Sequence, residues 1–144
     1  MTINVHNRIL MTGAAGNLGK ALRDRLKANC NVLRLSDRAE FGPAGDREEV
    51  VLADLSDADA VHSMMQGVDA VVHFGGVSTE SPFAPILQAN IIGVYNLYES
   101  ARKQGVKRVV FASSNHVTGF YRQSETITTD KPARPDGLYG LSKA

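Results

Sequence analysis

Thr12-Gly13-Ala14-Ala15-Gly16-Asn17-Leu18-Gly19 sits between two differently patterned stretches. Before it, Arg8-Ile9-Leu10-Met11-Thr12 is a short apolar run that reads as a strand. After it, Leu18 to Ala28 places Leu18, Ala21, Leu22 and Leu26 on one face of an amphipathic helix. The joining segment has the spacing Gly-x-x-Gly-x-x-Gly. A glycine turn there lets the backbone approach a pyrophosphate, and the helix N-terminus offers unpaired N–H groups and the positive end of its dipole. The third glycine lets the helix lie close to the sheet. Gly13, Gly16, Asn17, Leu18 and Gly19 are therefore candidates for a dinucleotide site. Glycines also mark ordinary turns, but the strand–loop–helix context favours the dinucleotide.

The same alternation continues along the chain. Val32–Leu35, Val50–Leu52, Ala70–Phe74 and Arg108–Phe111 read as further strands. A helix capped by Asp54 or Ser56 runs to about Gln66, and a long one spans Pro85 to Gln104, closed by Gly105. Thr118 to Gly137 reads as loop, and a last helix starts near Leu138. Apolar strands alternating with helices predict an α/β fold, a doubly wound, mainly parallel sheet of order 3-2-1-4-5, the Rossmann arrangement. No linker is visible, so residues 1–144 read as one dinucleotide-binding domain.

Composition narrows the function. The 144 residues carry 16 basic and 15 acidic side chains, for a net charge of +1, so nothing marks the chain for nucleic acid or an anionic membrane. One cysteine, Cys30, excludes a disulfide framework and reads as a small filler. His6, His62 and His73 lack metal-ligand spacing, so no metal site is expected. No apolar stretch approaches a membrane span and Met1 to Leu10 holds no leader-like core, so a cytoplasmic protein is expected. The basic residues Arg102, Lys103, Lys107 and Arg108 complement the end of the long helix.

Several polar residues fall where such a fold gathers its ligand. Asp37 closes the second strand, 24 residues after Gly13, where a carboxylate accepts from ribose hydroxyls and repels a 2′-phosphate, favouring NAD over NADP. Arg38 and Arg34 stand beside it as cations that could pair with a phosphate, or as a solvated pair. Asp54 and Leu55 are placed to flank the adenine, or Asp54 to cap a helix. Phe74-Gly75-Gly76 ends the fourth strand at the switch point of the sheet. Asn90 with Gly93 is an unfavourable pair inside a helix, explained by a side chain that braces a neighbouring loop or by a satisfied buried amide. Ser113, Ser114, Asn115 and His116 follow the fifth strand into the same crevice.

Tyr139 and Lys143 complete the pattern. Four residues apart on a helix they share a face, and an ammonium beside a phenol favours the phenolate, a base for a substrate hydroxyl.

With these motifs in this order, the sequence resembles the extended short-chain dehydrogenase/reductases, the NAD-dependent epimerase/dehydratase group. Gly75-Gly76-Val77-Ser78, the stretch Asn90 to Glu99, Phe111 to His116 and Pro132 to Gly140 look most like the uronate dehydrogenases within it. The resemblance implies NAD-dependent oxidation of the anomeric carbon of glucuronate or galacturonate to an aldarolactone. It implies Tyr139 as general base, Lys143 on the nicotinamide ribose, and Ser113 beside the cofactor. It places Ser78, Ser114, Asn115 and His116 on the sugar, and Asn17, Leu18, Asp37, Asp54, Leu55, Phe74 to Val77 and Asn90 on the NAD side. Homo-oligomers are common in this group, and the long helix offers Ile91, Tyr95 and Tyr98 to a second subunit or to the core. Family members run beyond Lys143, so a chain truncated after Tyr-x-x-x-Lys is expected, with the arginine for the uronate carboxylate beyond Ala144. A nucleotide-sugar epimerase or dehydratase, and a non-catalytic NAD-binding module or inactive fragment, are the competing expectations.

Overall fold

The structure, a computed structural model, describes residues 6–144; Met1 to Val5, part of the stretch examined for a leader, lie outside the described residues. Strand β1 (His6–Thr12) pairs in parallel with β2 (Cys30–Asp37) on one side and β4 (Ala70–His73) on the other. Strand β3 (Glu48–Leu52) extends the sheet beyond β2, and β5 (Arg108–Phe111) beyond β4. The order is β3-β2-β1-β4-β5, all parallel, the doubly wound sheet the sequence predicts.

The pleat sorts the core onto two faces. Ile9 and Met11 point to one side with Leu33, Leu35 and Val72, against helix α1 (Asn17–Lys27) and its Leu26. Leu10, between them, points to the other with Val71. It packs on Val61 and Met64 of α2 (Ala58–Met64) and on Leu97 and Ala101 of α4 (Gly93–Gln104). A buried leucine or methionine contributes roughly 1.5–3 kcal/mol, so these two layers dominate the stability of the sheet. Cys30 is buried among the first set with its Sγ 3.4 Å from the Leu26 carbonyl, and burial pushes its thiol upward. It is packing material.

Three boundaries differ from expectation. Helix α2 is capped by Asp57, not by Asp54 or Ser56, and ends at Met64. The Asp57 carboxylate accepts from Asp59 N and Ala60 N, both at 3.0 Å, leaving Asp54 to fold the turn before it. The long helix begins at Phe83 and is not uniform: α3 (Phe83–Ile86) passes into a π turn at Leu87–Ile92 before α4. Gly105 ends α4 with φ 72°, the left-handed closure expected of it. A short 3₁₀ turn, Asn115–Thr118, leads into the loop read from Thr118, and α5 spans Leu138–Ser142.

The π turn explains the odd pair Asn90 and Gly93. Its extra residue per turn swings Asn90 inward, 2% exposed, toward the end of β4. Gly93 then lies under Leu55, whose Cβ would sit 2.7 Å from any Cβ added there.

Candidate active site

All five strands end on one edge of the sheet, and the loops leaving β1 to β4 line a cleft of about 580 Å³. That is the size of an ordinary small-molecule site. Its floor is the first glycine turn. Gly13 adopts φ +73° with the backbone of Phe74 and Gly75 closer than 3 Å to where a Cβ would be, so no other residue fits. A Cβ on Gly19 would overlap the Gly13 carbonyl, which fixes how near α1 approaches the turn. Helix α1 has no acidic residue in its first turn and, among the described residues, no side-chain cap, so its leading N–H groups remain available to an anion.

Every residue expected on the NAD side lines this cleft except Asn90, Ser113 and Lys143, and Ser78 lines it too. Asp37 stands at the rim, its carboxylate accepting from Ala15 N at 3.0 Å and Ala39 N at 3.1 Å. It therefore ties the glycine turn to the end of β2. Of the two cations flanking it, Arg38 lines the cleft, whereas Arg34 turns away to Glu49 and to the carbonyls of Met64 and Gln66. Asp54 accepts from Ser56 N at 2.9 Å and Ser56 Oγ at 2.7 Å. Those bonds, backbone first, with the charge of Arg38 adding, hold its carboxyl below the usual range. The sequence reading missed Thr12, Ser36, Ala53, Thr79 and Ala89 among the lining residues; they flank the motifs and carry no signature of their own.

Behind the cleft, Thr12 and His73 couple β1 to β4. Gly75 N donates to Thr12 Oγ1 at 3.2 Å, and the threonine hydroxyl shares a 2.6 Å hydrogen bond with His73 Nδ1. His73 is wholly buried and stacks on Phe111. Burial, with the Lys143 charge adding, pushes its pKa down to about 4, so the ring is neutral at pH 7. Its Nε2 has no partner among the described residues.

The segment after β4, Gly75 to Glu80, forms one wall as a strap. Asn90 holds its middle: Oδ1 accepts from Val77 N at 2.7 Å, and Nδ2 donates to Val77 O at 3.0 Å and Ser142 Oγ at 2.9 Å. Asn90 thus braces the turn from behind, as the loop-bracing reading expects, and joins it to α5.

The second cluster surrounds α5. Lys143 follows directly after it, 7% exposed, with Nζ 5.9 Å from the centre of the Tyr139 ring and 5.0 Å from that of Phe111. Burial lowers its pKa. Ser113 Oγ donates to the Lys143 carbonyl at 2.7 Å, fastening the end of β5 to the end of α5. Ser114 accepts from His116 N and so caps the 3₁₀ turn that carries Asn115 and His116. The His116 ring meets the Tyr139 ring edge-on at 5.7 Å. Its Nδ1 lies 2.8 Å from the Asp136 carboxylate, which only accepts, so Nδ1 carries a proton. Asp136 had no distinguishing mark in sequence. The Tyr139 hydroxyl makes no hydrogen bond within the described residues.

These two clusters, a glycine-floored cleft and a Tyr–Lys pair joined by the strap, are matched over residues 9–144 by the NAD dependent epimerase/dehydratase family model. The chain belongs to this family. A uronate dehydrogenase from Pseudomonas syringae pv. tomato is 63% identical over 139 residues, covering 96% of this chain and 50% of that protein. Another, from Agrobacterium fabrum, is 57% identical over 136 residues, covering 94% and 51%. Among solved structures, a uronate dehydrogenase from Agrobacterium tumefaciens, a tyrosine-to-alanine mutant complexed with NAD, superposes with TM-score 0.93 at 56% identity, covering 95% of this chain and 52% of that one. The chain spans about half the length of the curated relatives it matches. Among the described residues no helix is long and apolar enough to cross a membrane, and no group of three or more His, Cys, Asp or Glu could hold a metal.

Proposed function

We propose that the protein oxidises C1 of a free hexuronate, glucuronate or galacturonate, to the aldarolactone with NAD. The observation that carries this is the Tyr139–Lys143 pair, bound through Ser142, Asn90 and Ser113 to the walls of a glycine-floored cleft. The identity to uronate dehydrogenases across 94–96% of the chain supports the substrate class.

The residues present fit a dinucleotide. Gly13 and Gly19 leave backbone where a Cβ would block a pyrophosphate, and α1 offers its N–H groups there. Asp37, Asp54 and Leu55 line the same cleft, where Asp37 would hold the adenosine ribose and Asp54 with Leu55 would flank the base. When bound, NAD accepts the hydride that leaves C1. Tyr139, as phenolate, takes the proton of the C1 hydroxyl as the carbonyl forms, and the Lys143 ammonium stabilises the phenolate and holds the nicotinamide ribose. Ser113 secures the Lys143 backbone beside the cofactor, while Ser78, Ser114, Asn115 and His116 Nε2 hold the sugar. The Ile91, Tyr95 and Tyr98 face, each side chain more than 40% exposed, supports a homo-oligomer. A cytoplasmic location agrees with the NAD supply such an enzyme draws on.

The test uses the full-length protein with NAD and free glucuronate. Steady NADH formation is expected, and Tyr139→Phe should lower kcat about 1,000-fold with NAD affinity unchanged within threefold. Turnover of a UDP-sugar without net NADH would replace this reading with an epimerase or dehydratase. A retained rate in Tyr139→Phe would remove Tyr139 as base.

A further inference from the structure

Helix α5 carries Tyr139 in its first turn, and that turn has no cap of its own. Its N-cap is Gly137, with no side chain to cap it, and its first turn has no acidic residue. The cap comes from the other side of the cleft. Glu80, at the far end of the strap, accepts from Leu138 N at 3.1 Å through Oε1 and from Tyr139 N at 3.0 Å through Oε2. One carboxylate therefore serves the first two N–H groups of the helix, 58 and 59 residues away in sequence.

Gly137 belongs to the same device. A Cβ there would overlap Glu80 Oε2, so the glycine leaves the room the carboxylate occupies. One turn farther along, Asn90 holds Ser142 and Ser113 holds the Lys143 carbonyl. With those residues secured, the angle of the first turn, and so the direction in which Tyr139 leaves the backbone, depends on Glu80.

We propose that Glu80 is a positioning residue for Tyr139: its carboxylate caps α5 in trans and ties the placement of the base to the strap that carries Ser78. This rests on the reading of Tyr139 as the base. The cap is charge-assisted and bidentate, the stronger kind of hydrogen bond, although solvent screens it on this exposed rim.

The experiment compares Glu80→Ala, Glu80→Ala with Gly137→Asp, and each of Tyr139→Phe with and without Glu80→Ala, in the full-length protein. Glu80→Ala should lower kcat about tenfold, with the NAD dissociation constant unchanged within twofold. An aspartate at 137 supplies a local cap, and in the Glu80→Ala background should restore most of the lost kcat. In the Tyr139→Phe background, Glu80→Ala should change the residual rate less than twofold, because the group it positions is gone. A wild-type kcat in Glu80→Ala overturns the proposal. So does an equal loss in both backgrounds, or a loss of NAD affinity in step with kcat. Amide hydrogen exchange separates this from the parent reading. Exchange at Leu138 and Tyr139 should accelerate about tenfold in Glu80→Ala whether or not uronate is the substrate. Unchanged exchange refutes the cap, whereas a wild-type protein that makes no NADH refutes only the assigned reaction.

Discussion

Asp37→Asn is the sharpest test of the cofactor assignment. The carboxylate accepts from Ala15 N and Ala39 N and presents its remaining lone pairs to the cleft. Asparagine keeps nearly the same shape and one of the two backbone acceptors while removing the charge. On the NAD side it weakens a charge-assisted bond to the ribose, about 1.5 kcal/mol or roughly tenfold. On the NADP side it removes a repulsion. Two unit charges ~5 Å apart at an effective dielectric of about 20–40 repel by about 2–3 kcal/mol, roughly 30- to 150-fold, and a 2′-phosphate carries more than one. Arg38, already lining the cleft, then has an unopposed phosphate to pair with. The ratio of kcat/KM for NAD to that for NADP should therefore fall at least about 100-fold. Asp37→Ala adds a second effect: both N–H groups lose their acceptor, the glycine turn loosens, and both cofactors should lose about a further tenfold. The assay is initial-rate NAD(P)H formation on the full-length protein, with dissociation constants from fluorescence titration. If Asp37→Asn moves the ratio less than threefold while Asp37→Ala depresses both cofactors together, the carboxylate is only a brace for the turn, and the ribose assignment fails.

Asn90→Ala removes three hydrogen bonds and strands both polar groups of Val77, a loss of about 3 kcal/mol in urea unfolding; a change below 1 kcal/mol would show that the π turn is held by other means. His73 makes stability pH-dependent, because its folded pKa of about 4 lies below the ordinary 6.5. The unfolded chain takes up that proton first, so this contribution is intact above pH 6.5 and is lost as the pH falls toward 4. Those roughly 2.5 pH units correspond to ~3 kcal/mol, which His73→Gln should abolish; parallel pH curves for the two proteins would show that the ring does not stay neutral in the fold.

Much of the frame was legible because it is written in local periods. The alternation of Ile9, Leu10 and Met11, the apolar runs of the strands and the glycine spacing after Thr12 each depend on residues within one turn or one pleat. The same holds for Gly105, whose left-handed closure needs only a helix before it. What stayed hidden depends on distance. Asp54, Ser56 and Asp57 are all competent caps within four residues; in the fold Asp54 closes the preceding turn on Ser56 and Asp57 takes the cap. The π turn is invisible to a period of 3.6, although Asn90 and Gly93 betrayed it as an unexplained pair.

The candidate site divides along the same line. The cofactor half is a motif, so its residues were named from sequence and line the cleft. The base half is a set of tethers between segments 13 to 63 residues apart: Thr12 to Gly75, Val77 to Asn90, Ser113 to Lys143, Asn90 to Ser142 and Glu80 to Tyr139. Asn90 apart, which sequence marks as a loop brace, no tether has a signature, because each is one ordinary hydrogen bond whose partner is set by the fold. Their effect is collective. The first turn of α5 has no cap of its own, and the strap beside it has no regular secondary structure of its own. Fastened to each other, each supplies the order the other lacks. The middle of the strap is held by Asn90 and only its far end reaches Tyr139, so a change at Glu80 should be felt at Tyr139 and not at the glycine turn.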